Sequence, residues 1–254
     1  MRLSFGRRVA LGVAVATAAV CAVVFVSATT AATSVRHAGL RAASGPMHKL
    51  SNSTSSNWAG YAVTGGRYTS VSASWVQPAV NCSVTPTGWS SFWVGLDGDT
   101  TGTVEQTGTE ADCSSGKAVY SSWYEMYPKF PKNYPDTVSP GDTFTASVTT
   151  DGKGNFSLTI RDTTRGWGHT TSARLKSAKL GSAEVIAEAP SSSGGVLPLA
   201  DFGAANFSAA KANGTSFANL SGRDAINMVS GGTTKASTGS ISSSGAFTVT
   251  WKHS

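Results

Sequence analysis

From residue 57 onward, apolar and aromatic residues recur in short segments, often at every second position, and Gly, Pro, Ser, Asp and Asn clusters separate the segments. Phe144, Ala146 and Val148 form one such alternating set, and Phe156, Leu158 and Ile160 another, the pattern of strands with one buried face. Thr150-Asp151-Gly152 between them predicts a hairpin turn. The same reading predicts strands over 58–63, 70–76, 91–96, 103–108, 118–127, 143–149, 155–161, 166–173, 183–188, 197–202, 205–210, 225–230 and 246–251. Nothing reads as a long helix. Many short strands at fairly regular spacing predict an all-β, antiparallel sandwich, with the terminal FTVTW strand closing a sheet edge.

The densest chemistry lies over 90–110. An aromatic strand (SFWVGL, 91–96) is followed by the acidic turn Asp97-Gly98-Asp99 and a second extended stretch, VEQTG, at 104–108. Alternation sends Glu105 and Thr107 to one side and Val104, Gln106 and Gly108 to the other, so Gln106 is expected to face inward. A neutral amide placed beside acids invites explanation.

Composition narrows the setting. The formal charge is +6, yet residues 1–54 contain Arg2, Arg7, Arg8, Arg36, Arg41 and Lys49 and no acid, leaving 14 Lys and Arg against 14 Asp and Glu. The folded part is formally neutral, which argues against nucleic acid as a partner. Residues 1–32 combine a basic start, an Ala/Val-rich run over 9–26 and small residues, the pattern of an export signal with an uncleaved anchor as the alternative, and imply a secreted protein with no membrane contact once the signal is removed. Residues 33–55 read as a propeptide or linker, and 56–254 as one β-sandwich domain. Cys21 belongs to the signal, so Cys82 and Cys113 remain, and in an exported chain they are expected to form a disulfide, two unpaired thiols being the alternative. A monomer is the default expectation.

After residue 55 the histidines are His169 and His253, too few for a His-rich zinc site, and His169 sits near no nucleophile-elbow motif. Carboxylates are the remaining candidates. Glu184 and Glu188 share one strand face about 13 Å apart, too far to share a proton. Glu125 stands among Trp123, Tyr124 and Tyr127, surroundings that suit either a desolvated acid in a groove or plain sheet core. Asp97 and Asp99 equally read as turn formers.

Taken in order, FWVGLDGD (92–99), EQTG (105–108), WYEMYP (123–128), SPGD (139–142), AEVIAEAP (183–190) and LADFG (199–203) resemble the glutamic peptidases, or eqolisins, and SSNWAGY (55–61) fits that family's first strand. Motif order and spacing carry the resemblance, from residue 55 to about 210. It implies a secreted acid endopeptidase on a concanavalin-like or jelly-roll-like sandwich of two seven-stranded antiparallel sheets, acting on polypeptide with no cofactor and no metal. It matches Gln106 and Glu188 to the catalytic pair, Glu184 to the neighbouring acid, and Trp93, Asp97 and Glu125 to residues that line or support the cleft. Val185 replaces a common aromatic, a change expected to bear on substrate preference, and Ser121 replaces an Asp of some fungal members, a change expected to bear on hydrogen-bond support. Two other classes stay open at this point: a carbohydrate-active or lectin-like sandwich, and a scaffold that binds peptide without cutting it.

Overall fold

The computed structural model describes residues 53–99 and 101–254, so the expected signal and nearly all of the expected propeptide lie outside the described residues. In chain order the strands of the first half are β1 (Ser53–Ser55), β2 (Trp58–Thr64), β3 (Ser70–Val76), β4 (Ser91–Leu96), β5 (Val104–Ser114), β6 (Lys117–Tyr127), β7 (Lys132–Asn133), β8 (Thr143–Thr150) and β9 (Asn155–Asp162). The second half supplies β10 (Trp167–Arg174), β11 (Ser182–Glu188), β12 (Ser191–Ser192), β13 (Gly195–Val196), β14 (Ala204–Ala212), β15 (Thr215–Ser216), β16 (Arg223–Ser230), β17 (Thr233–Thr238) and β18 (Phe247–Trp251). β-Branched and aromatic residues in alternation set these strands, and turn glycines with positive φ, such as Gly152 and Gly154 between β8 and β9, separate them.

Sixteen of these strands join one sheet whose main path runs β10-β9-β8-β3-β14-β18-β17-β16-β2-β11-β4-β5-β6-β7, and β12 and β13 pair separately. The half from β10 to β18 packs face to face on the half from β2 to β7, so the expected sandwich is present, with its two layers hydrogen-bonded into one sheet through β17 and β16. Phe92, Val94 and Leu96 of β4 meet Phe144, Val148, Leu158 and Ile160 in the core between the layers. Trp75 Nε1 crosses that core to donate to Thr109 Oγ1 at 3.0 Å.

Two expectations need correction, and two further pairings were not anticipated. The FTVTW strand lies between β14 and β17, inside the path rather than at an edge. Residues 197–202 form no strand; Leu199 makes only an isolated bridge to Trp89 and buries its side chain beneath the layer. β17, too polar to register as a strand, completes the join between the layers. β1 falls within the stretch read as linker, yet pairs in parallel with β16. The disulfide forms as expected, Cys82 to Cys113 with Cα atoms 5.3 Å apart, tying the loop before β4 to the end of β5.

One side chain sits oddly in the core. Glu105, beside Leu96 and Met126 in register, is fully buried with neither oxygen in a hydrogen bond. Desolvation, then the nearby Asp97 charge, pushes its pKa up to about 8, and Thr103 offsets this only in part. In the unfolded chain the same group titrates near about 4.3. The folded state therefore holds a proton that the unfolded state releases, and stability that is complete in acid is lost as pH rises from there to about 8. The shift corresponds to on the order of 5 kcal/mol. Urea unfolding at acid and mildly alkaline pH should show a wild-type midpoint that drops steeply on alkalinisation and a Glu105→Gln midpoint that drops much less; parallel drops in the two proteins would contradict this assignment.

Candidate active site

β2, β11, β4, β5 and β6 are neighbours, and their register aligns the residues of the outer face in rows. One row holds Trp58, Glu188, Ser91, Glu110 and Ser121; the next, two residues along, Gly60, Ile186, Trp93, Gly108 and Trp123; the third, Ala62, Glu184, Gly95, Gln106 and Glu125. Residues directly opposite one another in paired strands point the same way. All the acids and amides of the expected site except Asp97 therefore share the face turned away from the main core. Gln106 is buried as expected, but on this face, while Glu105 takes the core side.

That face has its own apolar bed of Trp58, Trp93, Trp123, Val104, Ile186 and Ile226. Trp58 and Trp93 meet edge to face, with ring centroids 5.1 Å apart. β4 and β11 are buried along their whole length, with alternate side chains in the main core and Trp93 and Ile186 in the second cluster. Polar groups on the outer face are thus held in apolar surroundings, where hydrogen bonds are strong and directional.

Glu188 is gripped at both oxygens. Trp93 Nε1 donates to Oε2 at 2.8 Å, and Asn57 Nδ2 donates to Oε1 at 3.0 Å. Two N–H donors fix the carboxylate as an acceptor, the posture of a general base. Gln106 Nε2 donates to Glu125 Oε2 at 2.7 Å, which sets the orientation of the amide. Trp93 links the two members. Its Nε1 addresses Glu188, while the opposite edge of its ring lies over Gly95, where an added Cβ would stand 2.8 Å from Trp93 Cζ3 and 3.2 Å from Gln106 Cβ. Gly95 is the space that lets indole and amide stand side by side.

Glu184 shares the row of Gln106 but has a different character. It is fully buried, and desolvation, reinforced by Asp99 and Asp97, raises its pKa well above the ordinary value. Ser182, and to a lesser degree the Asp99 backbone, act in the opposite direction without overcoming desolvation. Burial thus favours the protonated form. Asp97 works at one remove from the face: its carboxylate accepts the backbone N–H groups of Lys179, Leu180 and Gly181, each at 2.8 Å, and so fixes the chain entering β11. Val185 points into the main core, between Tyr61 and Val94, and so has no access to substrate on the outer face, contrary to the expectation placed on it. Ser121 Oγ donates to Glu110 Oε2 at 2.8 Å. His169 stands on β10 in the other layer, paired with Asp136 and stacked on Tyr134, which leaves no part for it in a nucleophilic triad.

Asn57 was invisible in the sequence. It is a small polar residue at the edge of a polar stretch, and only the pairing of β2 with β11, which brings Trp58 opposite Glu188, puts it in reach of that acid. The signal that could have found it is its place directly before the first aromatic strand.

Comparison with known proteins agrees with this geometry. The profile of the Peptidase A4 family matches residues 56–251. Aspergillopepsin-2 of Aspergillus niger is 32% identical over 181 residues, covering 62% of this chain and 64% of the relative. Scytalidopepsin B of Scytalidium lignicola is 34% identical over 134 residues, covering 52% and 50%. The chain thus spans less than two thirds of the length of these curated relatives. The crystal structure of scytalido-glutamic peptidase with a transition state analog inhibitor superposes with a TM-score of 0.66 at 25% identity, covering 78% of this chain and 98% of that one. A family profile spanning almost the entire described region, over a sandwich of the same architecture, places this chain in the Peptidase A4 family, the glutamic peptidases.

Proposed function

We propose that this protein is a secreted acid endopeptidase in which Glu188 and Gln106 perform the chemistry on a water molecule. The observation that carries the proposal is the pair of anchored polar groups on one buried face, Glu188 held by Trp93 and Asn57 and Gln106 held by Glu125. Family membership favours this reading over the carbohydrate-active one. Glu188 takes a proton from water as the water oxygen attacks the scissile carbonyl carbon. The carbonyl oxygen becomes an oxyanion and accepts an N–H of Gln106. Collapse of the tetrahedral intermediate breaks the C–N bond, and Glu188 returns its proton to the leaving amine. Protein groups and water supply every proton and electron pair in this sequence.

The amide suits its place because it can donate to the oxyanion and accept from water, which an ionised carboxylate cannot do. Glu184 is poorly suited to act as a base, since burial disfavours its charged form. Acid conditions agree with the rest of the molecule: Glu105 and Glu184 both favour the protonated fold. Export, a propeptide and a monomeric state complete the reading. The disulfide supports export. Arg36, Arg41 and Lys49 of the leader are complementary in charge to the acids of the cleft face, a complementarity that weakens as those acids protonate.

Cleavage of a denatured protein by the secreted chain, measured from acid to neutral pH with pepstatin and a chelator present, tests the dyad. Wild type should cut in acid, Glu188→Gln should lose about 10²–10⁴ in kcat/KM, and Gln106→Ala about 10²–10³. Full activity in either folded variant would sink the assignment. Trp93→Phe keeps the ring bed but removes the donor to Glu188. It should lower kcat about 10–100-fold with little change in KM, and an unchanged kcat would show that the indole N–H has no part in holding the base.

A further inference from the structure

The layer opposite the proposed cleft carries a second polar feature that peptide hydrolysis leaves unused. On β3, β8 and β9 the inward residues are core, so the alternate positions face outward. There Ser72, Ser74, Thr145 and Thr159 floor a depression of about 320 Å³, with Arg161 of β9 and Lys211 of β14 at its sides.

Two local devices aim these cations. β14 holds one residue more than β3 between Ser208 and Lys211, and the register shifts there. Ala209, the exposed residue of this bulge, takes φ 52°, a left-handed conformation that non-glycine residues disfavour. Without the extra residue the pleat would turn Lys211 into the core and Ala210 outward. With it, Ala210 and Ala212 are buried and Lys211 is exposed. Across from Arg161, β10 carries Gly168, where an added Cβ would lie 2.8 Å from Arg161 Cγ. The stem of Arg161 therefore rests in room that any other residue would fill.

Charge is segregated in the same sense. The strands of this layer, β3, β8, β9, β10, β14, β17 and β18, contribute Arg161, Arg174, Lys211 and Lys235 against a single acid, Asp162, which is buried. Among the described residues no carboxylate lies within ion-pair distance of Arg161 or Lys211. The lining contains no aromatic residue on which a nucleic-acid base could stack and no large apolar side chain to enter a lipid surface. Paired cations over a floor of hydroxyls suit a ligand that is both anionic and rich in hydroxyl groups.

We propose that this depression binds acidic polysaccharide, with a uronate carboxylate on Arg161 or Lys211 and sugar hydroxyls bonded to the Ser and Thr floor. The site lies on the layer opposite Glu188, so its occupancy leaves the cleft face open. On the peptidase reading, it holds the enzyme on a polyuronate matrix while the cleft accepts polypeptide; the binding itself does not depend on that reading.

Titration calorimetry of the secreted protein with soluble polygalacturonate at low salt, with neutral dextran as reference, tests the site. Polygalacturonate should bind, added salt should weaken it, and the double substitution Arg161→Ala with Lys211→Ala should weaken it by about tenfold or more without moving the thermal midpoint. Should the double variant lose stability, the single exposed change Lys211→Gln serves in its place and should weaken binding by a smaller factor. Absence of wild-type binding, equal binding by the variant, or dextran binding as tight as polygalacturonate would each overturn the proposal.

Discussion

The two-residue pleat of a strand buried on both faces is the constraint on which the site depends. β4 and β11 have no exposed position, so every side chain is committed to the core between the layers or to the second apolar bed outside it. Phe92, Val94 and Leu96 go to the first, which leaves Ser91, Trp93 and Gly95 for the second. On β11 the same rule sends Ala183, Val185 and Ala187 inward and Glu184, Ile186 and Glu188 outward. A shift of one residue in either strand would bury Glu188 against phenylalanine and expose the core. The site is therefore specified by the packing of the sandwich, and its donors, Trp93 and Asn57, are carried by elements that cannot move independently of it.

Charge adds a second level. Acids gather on the strands around the cleft face, while the outer face of the opposite layer is cationic. Two of those acids, Glu105 and Glu184, are placed where ionisation is penalised by desolvation and by neighbouring aspartates. The fold consequently favours acid conditions, in which both groups are protonated at no cost in desolvated charge.

Much of this was legible in the sequence, for physical reasons that differ by element. The bounds of β3 and β4 followed from alternation and from aromatic density. Gln106, Glu125, Trp93 and Glu188 could be selected because their motifs stand in order, and the structure brings them to one face. β17 gave no signal, since Ala236 is its one buried residue and the partners that complete it lie on other strands. The stretch 197–202 misled because Leu199, Ala200 and Phe202 bury themselves as a packed loop, where apolar content looks the same as in a strand. Asn57 and the support given by Asp97 depend on contacts across 131 and more than 80 residues, which local pattern does not encode.

The central claim is that one water is activated between Glu188 and Gln106. A structure of this protein with a peptide analogue carrying a tetrahedral gem-diol in place of the scissile carbonyl tests it most directly. The account predicts one diol oxygen in hydrogen-bond contact with the Glu188 carboxylate and the other with Gln106 Nε2, with the Trp93 and Asn57 bonds retained. A tetrahedral centre seated on Glu184 or Glu125, or away from this face, would contradict it.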